Sequence, residues 1–350
     1  MIPENSKSIN WAREFDFLAV DGFIGSLIAA RALSTALETG LIDYLLENKT
    51  ATAGFLAKQS GADEKGMGLL LDLLRANRVV EMSGGTVRLS AAFLQILPYR
   101  DLLELKLELS NLAARDLLDH FSDLIRNPQA FAKKAGFYQL FSGDGFSSRE
   151  EALLAAKRWM KITTVLTKYE SLACLKNFDF GRHEYLLDIG GNSGEFVLRI
   201  CREHPHIYAT VLDLPQVCEI GVEHVRPEPE AARISFVSGN ALTDILPGGF
   251  DLVSFKSMLH DWPESEAKRI MANGARSLKP GGTMLILERS LVEALAAVPP
   301  YSTIPFLHFF RGYRRPDFYA EHLRELGFRD IKIRRIELDM PFVLITGVMT

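Results

Sequence analysis

The stretch "YLLDIGGNSGEFVLRICREHPHIYATVLDLP" (residues 185–215) sets the pattern of the C-terminal half of the chain. A short apolar run ends in glycines, and a helix pattern follows with Phe196, Val197 and Ile200 on one face. A second apolar run then ends at Asp213. Strands that alternate with helices form a parallel sheet covered on both faces. This stretch therefore predicts an α/β fold.

The alternation continues to the end of the chain. Further strands are predicted at residues 234–240, 250–259, 283–290, 331–338 and 342–349. Only Asp339, Met340 and Pro341 separate the last two strands, which is too short for a crossover, so that pair must be antiparallel. We therefore predict a doubly wound sheet with one antiparallel strand at its end.

The N-terminal third is predicted to be helical. Apolar residues recur at helical spacing from Asp21 to Leu46, with a break at Gly40. Two short helices and two strands follow, the strands at Val79–Met82 and Thr86–Ser90. Two helices followed by a two-stranded ribbon form the outline of a winged helix.

A winged helix suggests DNA binding, but the charges of its second helix argue against that function. Lys65 and Arg75 stand there against three acids, Asp63, Glu64 and Asp72. A helix without a positive surplus is not attracted to phosphates. We therefore favour a packing or dimerisation domain and predict a homodimer with an apolar helix face formed by Leu27, Ala30, Leu33 and Leu37.

Composition excludes several other classes of protein. The net charge is −4 over 350 residues, whereas nucleic-acid binding normally requires excess Lys and Arg. Cys174, Cys201 and Cys218 form no metal spacing, so we predict reduced thiols and no metal. No signal peptide or membrane span is recognisable, because residues 17–37 include Asp21 and a further charge. The expectation is a cytoplasmic protein without a membrane partner.

Length and pattern together suggest three segments. A chain of 350 residues is too long for one ordinary core. We predict a winged-helix-like dimerisation domain at residues 1–100, a helical bridge at 101–165 that contributes to a binding pocket, and a ligand-binding domain at 166–350.

Polar residues cluster where the predicted parallel strands end, and such strand ends form the ligand site of a doubly wound sheet. They are Asp188, with Gly190, Gly191 and Gly194 in the following loop, then Asp213, Gly239, Asn240, Lys256, His260 and Glu288. This set defines the candidate site.

The glycine loop and Asp213 indicate the kind of ligand. The loop lacks the spacing of a dinucleotide fingerprint, which argues against a diphosphate ligand. Asp213 closes the next strand about 20 residues on, where an acid can accept both hydroxyls of a ribose. An adenosine ligand without a diphosphate is therefore predicted, and S-adenosylmethionine fits that description.

From about residue 12 to 346 the chain resembles the small-molecule O-methyltransferases typified by plant caffeic acid and acetylserotonin enzymes and their bacterial relatives. The motifs are "LLDIGGNSGEF", "LDLPQV", "FKSMLHDWPESEA", "SLKPGGTMLILE" and "ELGF". The resemblance implies a Rossmann-like class I methyltransferase sheet and S-adenosylmethionine as cofactor. It also implies these roles: Asp188, Gly190, Gly191, Gly194, Asp213 and Lys256 at the cofactor, Gly239, Asn240 and Ala241 at its adenine, His260 as catalytic base and Glu288 orienting it.

The sequence departs from the family pattern at three positions. The loop has Asn192 where a third consecutive glycine is usual, and Asn240 replaces an aspartate at the adenine. In "FRGYRRPD" (310–317), Tyr313 stands where a second carboxylate near the base is expected. A related group of proteins keeps this fold and binds the cofactor without methylating anything, so this alternative stays open, as does the less favoured winged-helix regulator.

The acceptor is predicted to be a small, largely apolar aromatic molecule with a phenolic hydroxyl. Trp159, Met160, His308 and Tyr313 are the candidate acceptor contacts, because aromatic side chains favour an aromatic ligand. Arg311, Arg314 and Arg315 could bind an anionic acceptor, although an exposed, solvated face is favoured. For Asp261 a helix-capping role is favoured over chemistry.

Overall fold

The computed structural model describes residues 15–138, 149–291 and 299–350. The chain divides into two units, one of Met1–Ala114 with Pro299–Ile304, the other of Arg115–Val298 with Pro305–Thr350. The sequence predicted three segments with boundaries after residues 100 and 165. The structure instead divides the predicted bridge, so that residues 101–114 belong to the first unit and the remainder to the second.

The first unit is built from short helices and a small sheet. Its elements are a 3₁₀ helix (Asp16–Phe23), α1 (Leu27–Glu38), α2 (Leu41–Asn48), β1 (Ala51–Thr52), α3 (Ala53–Ser60), α4 (Glu64–Ala76), β2 (Val80–Ser83), β3 (Thr86–Leu89), α5 (Ala91–Ile96), a 3₁₀ turn (Leu97–Tyr99) and the first part of α6 (Arg100–Arg126). β3 lies between β1 and β2, antiparallel to both. Helices α3 and α4 followed by the β2–β3 hairpin confirm the winged-helix outline.

The predicted apolar face of α1 is mostly internal to the first unit. Ala30 and Leu33 have no exposed surface, whereas Leu27 is 49% exposed. The prediction of that face as an interface was therefore wrong for these two residues, because the unit's own helices cover them. Helical periodicity identifies an apolar face but not which molecule covers it.

The charged residue in the first apolar stretch is paired inside the unit. Asp21 and Lys106 are both buried, with the ammonium 2.8 Å from one carboxylate oxygen and 3.0 Å from the other. No single helix in the described ranges is long and apolar enough to cross a membrane, although the 3₁₀ helix and α1, bent by 103°, together reach that length and composition.

The second unit contains the large sheet and the helices that flank it. After the rest of α6 its elements are α7 (Pro128–Lys134), α8 (Arg149–Asn177), β4 (Tyr185–Ile189), α9 (Glu195–Glu203), β5 (Tyr208–Asp213), α10 (Pro215–Val225), β6 (Ile234–Ser238), β7 (Phe250–Lys256), α11 (Glu264–Ala275), β8 (Leu278–Arg289), α12 (Pro316–Glu325), β9 (Phe328–Glu337) and β10 (Pro341–Met349). All seven predicted strands are present.

The sheet has the order β6-β5-β4-β7-β8-β10-β9. Strands β4 to β8 pair in parallel, and β10 pairs antiparallel with both β8 and β9. The doubly wound sheet with its last strand antiparallel is confirmed, and that strand lies one position in from the edge. Because β10 covers the free side of β8, the residues of β8 lie in the interior of the sheet.

Helix α8 explains why the predicted boundary at residue 165 does not divide the structure. It runs without a break from Arg149 to Asn177, and its middle turns contact the loop after β4. Thr163 Oγ1 lies 3.3 Å from Asn192 Oδ1, and Thr164 Oγ1 donates to Ser193 Oγ at 2.7 Å. The last residues of the predicted bridge therefore contact the glycine loop as part of one continuous helix.

Candidate active site

His260 lies in a short 3₁₀ turn, Leu259–Asp261, that follows β7. The chain leaves the strand through Ser257, whose φ of 50° turns the backbone sharply, and α11 begins three residues after the turn. The imidazole is 8% exposed. Since β7 and β8 are parallel neighbours, with Lys256 beside Leu287, the turn lies next to the end of β8.

Glu288 holds this turn. Its side chain is fully buried at the end of β8, and Oε1 accepts hydrogen bonds from the amides of Met258 at 2.9 Å and Leu259 at 2.7 Å. Its Oε2 lies 2.7 Å from Nδ1 of His260. The carboxylate thus fixes both the backbone and the imidazole, which leaves Nε2 as the nitrogen able to accept a proton. The predicted base and orienting acid are brought together as expected.

The electrostatic surroundings favour the protonated imidazole. Burial is the largest influence and opposes the charged form, but the carboxylates of Asp261 and Glu288 outweigh it and raise the pKa of His260 above 6.5. A more basic imidazole is a stronger proton acceptor once it is neutral.

The glycine loop after β4 packs too closely for side chains. At Gly191 a Cβ would lie 2.6 Å from Asp188 Oδ2 and 2.9 Å from Val211, and at Gly190, where φ is +71°, it would lie 2.9 Å from Met258. These close contacts, rather than a fingerprint spacing, explain both glycines. Gly194 precedes α9 with a φ of +78°.

Asp188 contributes a buried carboxylate beside this loop. Its Oδ1 accepts from Ser254 Oγ at 2.6 Å, whereas its Oδ2 has no hydrogen-bond partner among the described residues. Burial raises the pKa of Asp188 to about 7, with Asp213 adding to the rise and Ser254 and Lys256 opposing it. Such a carboxylate gains from a donor or cation placed in the loop.

Asp213 closes β5 at the same edge of the sheet. Oδ2 accepts from the amide of Asn192 at 2.9 Å and Oδ1 from that of Leu214 at 2.8 Å. Each oxygen keeps a lone pair, so the carboxylate can still accept two hydroxyl groups.

The predicted adenine segment follows β6. Gly239 donates its amide to the Asp213 carbonyl at 2.9 Å, and Asn240 Oδ1 accepts from the Leu242 amide at 2.9 Å. The side chain of Asn240 is thus turned into its own loop, next to Ala241. Its amide oxygen retains one lone pair for an external amine.

Lys256 is part of a buried group of charges that the sequence did not reveal. Its ammonium donates to Thr167 Oγ1 at 2.8 Å and forms an ion pair with Glu170, which also pairs with Arg289. Although burial opposes ionisation, the two cations lower the pKa of Glu170 below its ordinary value. The signal for Glu170 was its helical spacing from Thr163 and Thr167 on one side of α8.

An aromatic cluster lies on one side of His260. The ring of Phe137 packs against Trp159 at 6.1 Å, His308 at 4.8 Å and Phe309 at 5.7 Å, and Phe309 in turn lies 6.0 Å from the His260 ring. Sequence reasoning did not single out Phe137, which lies at the centre of the cluster.

The side chains predicted to contact the acceptor differ in their exposure. Trp159 is half-buried, and the Tyr313 ring lies 5.4 Å from that of His260. Met160 is 5% exposed, and the His308 side chain is fully buried with Nε2 3.2 Å from Asp116. The structure therefore places His308 behind Phe137 as a support for the aromatic wall instead of on its surface.

Asp261 does not have the capping role predicted for it. Helix α11 begins at Glu264 after Pro263, and no side chain caps its first turn. Asp261 Oδ1 instead lies 3.5 Å from Nε2 of His260. Proline already fixes the start of the helix, so Asp261 is left beside the imidazole, on the side where Tyr313 replaces the expected carboxylate.

A cleft of about 760 Å³ opens next to His260. Its walls come from the His260 turn, the start of α11, and the segment from Arg311 to Glu321. This volume is sufficient for a small aromatic molecule. The strand-end residues Asp188, Asp213 and Asn240 and the aromatic cluster around Phe137 are not among the residues that line this cleft.

Comparison with known proteins agrees with this geometry. A family profile described as the O-methyltransferase domain matches residues 115–328, and the chain belongs to this family. Members of the family depend on S-adenosylmethionine.

Individual proteins resemble the chain to different extents. It is 32% identical over 167 residues to a 3-hydroxy-5-methyl-1-naphthoate 3-O-methyltransferase of Streptomyces sahachiroi, a match that covers 47% of this chain and spans about half (48%) of that protein. It is 24% identical over 325 residues to the acetylserotonin O-methyltransferase of Gallus gallus, and the match covers 89% of this chain and 92% of that protein. The structure of human N-acetylserotonin methyltransferase in complex with S-adenosylmethionine has the same fold, with a TM-score of 0.74 and 20% identity. The match covers 97% of this chain and 99% of that one.

The contact between Glu288 and His260 predicts the titration of the imidazole. NMR of the ¹⁵N-histidine-labelled protein should give His260 a pKa above 6.5. Glu288→Gln should lower that pKa, because an amide accepts from Nδ1 but does not stabilise the imidazolium with a charge. Glu337→Gln, an exposed carboxylate on β9, is the control. An unchanged pKa in the Glu288 variant would contradict the assignment.

Proposed function

We propose that this protein transfers a methyl group from S-adenosylmethionine to a phenolic hydroxyl of a small, largely apolar aromatic metabolite. The contact of 2.7 Å between the buried Glu288 and His260, beside a cleft, is the observation that carries the proposal. Family membership supports O-methylation of a small metabolite, and the naphthoate enzyme of Streptomyces sahachiroi is named for an aromatic hydroxyl acceptor.

The strand edge fits S-adenosylmethionine. Asp213 would accept the ribose hydroxyls, because each of its oxygens retains a lone pair. Asp188 Oδ2, buried beside the glycine loop, would be satisfied by an ammonium group. Asn240 and Ala241 would line the adenine, and Lys256 would lie near the cofactor with its charge balanced by Glu170.

Methyl transfer requires the acceptor oxygen to lose its proton. When bound, S-adenosylmethionine supplies a methyl group already activated on a sulfonium. A phenol has a pKa of about 10 and an imidazole about 6.5, so complete prior proton transfer is uphill by roughly 5 kcal/mol. The raised pKa of His260 reduces this difference. His260 would therefore accept the phenolic proton at Nε2 as the methyl group moves, with Glu288 fixing Nδ1–H and stabilising the imidazolium.

The aromatic cluster supports an aromatic acceptor. Phe309 connects the cluster to His260, and Tyr313 packs against the same imidazole. Rings of this kind bind planar apolar ligands through stacked or edge contacts. Asp261, exposed to the cleft, would accept a hydrogen bond from a polar group of the acceptor.

A second candidate function is cofactor binding without methyl transfer. The observation in its favour is Tyr313, a buried phenol whose pKa is raised by burial and which therefore carries no negative charge at the position of the expected carboxylate. Incubation of the protein with labelled S-adenosylmethionine and a library of phenols, read by mass spectrometry, separates the two. Tight cofactor binding with no methylated product would establish the second function.

Loss of the base should abolish most turnover. General-base catalysis typically contributes 10²–10⁴-fold, so His260→Ala should reduce kcat by about that factor while cofactor affinity is kept. Turnover of the parent should fall as the pH drops through the pKa of His260, because only the neutral imidazole accepts a proton. His206→Ala, an exposed histidine in the segment before β5, is the control. Equal rates for parent and His260→Ala would exclude the mechanism.

Removal of the ribose acid should weaken cofactor binding. A hydrogen bond to a charged group contributes about 1.5–3 kcal/mol, so Asp213→Ala should bind S-adenosylhomocysteine at least tenfold more weakly in calorimetric titration. Glu219→Ala removes an exposed carboxylate from α10 and should bind as the parent does. Unchanged affinity of the Asp213 variant, or preferred binding of NAD, would contradict the cofactor site.

We further propose a homodimer. Three apolar side chains of α6 are exposed in the described part of the chain, with Leu118 at 78%, Phe121 at 51% and Ile125 at 54%. Exposed apolar clusters mark interfaces. Sedimentation at micromolar concentration should give twice the 39.1 kDa of the chain, and Leu118→Glu should shift it to the monomer whereas Ile245→Glu, at a fully exposed position, should not. A parent monomer at that concentration would disprove the dimer.

A further inference from the structure

Arg314 contacts the carbonyl groups of the turn whose amides Glu288 binds. Its Nη1 donates to the carbonyl of Leu259 at 2.8 Å, and its Nη2 donates to that of Trp262. These carbonyls flank His260 in the chain. A planar guanidinium with two donors is suited to bridging two acceptors held at a fixed separation.

Arg314 is itself held in place by packing and by the backbone. The residue is 8% exposed, and its guanidinium lies 4.9 Å from the centre of the Phe318 ring. Its carbonyl accepts from the amide of Leu291 at 3.2 Å, and it forms a bridge with Ser290. Its backbone is therefore attached to the same end of β8 that carries Glu288.

The preceding residues pack directly on the turn. At Gly312 a Cβ would lie 2.2 Å from the carbonyl oxygen of His260, so only glycine allows this approach. The segment from Gly312 to Arg314 thus contacts the backbone of His260 and both of its flanking carbonyls. The sequence had suggested an exposed, solvated face for Arg314, and the structure shows the reverse.

We propose that Arg314 is a positioning residue for His260. It fixes the carbonyls of Leu259 and Trp262, on either side of His260 in the chain, so that Nδ1 stays on Glu288 and Nε2 remains the nitrogen that accepts a proton. This inference rests on the proposed role of His260 as the base. Glu288 binds the amides of Met258 and Leu259 at the start of the turn, and Arg314 binds the carbonyls of Leu259 and Trp262. The bond to Trp262 therefore holds the end of the turn that Glu288 does not reach. Without the bond from Arg314 to Trp262, the imidazole of His260 can rotate away from the Glu288 carboxylate.

Arg314→Lys tests this role because it keeps the positive charge but loses the two-pronged donor. A misplacement of about 1 Å can cost on the order of 10²-fold in rate, so kcat should fall tenfold to a hundredfold with unchanged affinity for S-adenosylhomocysteine. ¹⁵N NMR should show the pKa of His260 moving down towards 6.5 and the Nδ1–H tautomer losing its dominance. If the substitution acted by weakening the positive charge near His260, the pKa of His260 would rise. A fall in that pKa therefore indicates lost positioning and not a changed charge.

Two further variants complete the experiment. Arg324→Lys, at an exposed position on α12, should leave kcat, pKa and tautomer unchanged. Gly312→Ala retains the guanidinium but pushes on the carbonyl of His260, and it should shift the pKa and the tautomer as Arg314→Lys does. If Arg314→Lys does not fold, Phe318→Leu, which removes the ring packed on the Arg314 guanidinium and leaves the turn unchanged, is the test.

The results distinguish this inference from the proposed function. If Arg314→Lys lowers only the melting temperature and leaves the His260 pKa, tautomer and kcat as in the parent, the positioning role is wrong. If the parent methylates no acceptor, the proposed function fails, while the NMR titration still shows whether Arg314 positions the imidazole.

Discussion

The buried carboxylate of Glu288 is the constraint on which the site depends. A carboxylate taken out of water costs several kcal/mol unless hydrogen bonds and opposite charge compensate. β8 is an interior strand, so its last residues cannot turn to solvent, and the carboxylate is satisfied by two amides and one imidazole of the turn after β7. His260 thus supplies one of the three hydrogen-bond contacts that satisfy the buried acid. One interaction positions the catalytic candidate and makes it more basic.

The charges around Glu288 are balanced as a group. Arg289 is buried and the Lys256 side chain is 9% exposed, and Glu170 of α8 forms ion pairs with the two of them. Glu170 therefore lies between two cations, with Asp188 acting on Lys256 and Asp339 on Arg289. Arg289 also lies over the rings of Phe306 and Phe342, which stabilise a cation with little water around it. Removal of any one member would leave a buried charge uncompensated, so these residues must change together if they change at all.

The sequence was sufficient to predict the helices and strands and the residues at the strand ends. It was not sufficient to predict which distant side chains contact one another. Period and length identified every strand of the sheet, and the strand ends identified His260, Glu288 and Asp213, because parallel strands bring their carboxyl ends to one edge. Glu170 was missed because its partners Lys256 and Arg289 lie 86 and 119 positions away. Arg314 was assigned to an exposed face because the carbonyls that it binds lie more than 50 positions away, and no spacing rule links a side chain to such partners. Asp261 was wrongly assigned as a helix cap because the helix begins only after Pro263, two residues further on.

The chain passes between the two units more than once, which limits how they can be exchanged by recombination. After β8 the chain contributes Pro299–Ile304 to the first unit, where the Ser302 amide donates to the carbonyl of Ile24 at 3.1 Å and the Tyr301 hydroxyl to Asn111 at 3.0 Å. It then returns to the second unit. The boundary is therefore crossed more than once, and no single cut yields two complete pieces. Recombination between relatives at one crossover point would exchange the N-terminal helices but leave this segment facing a surface it did not evolve with.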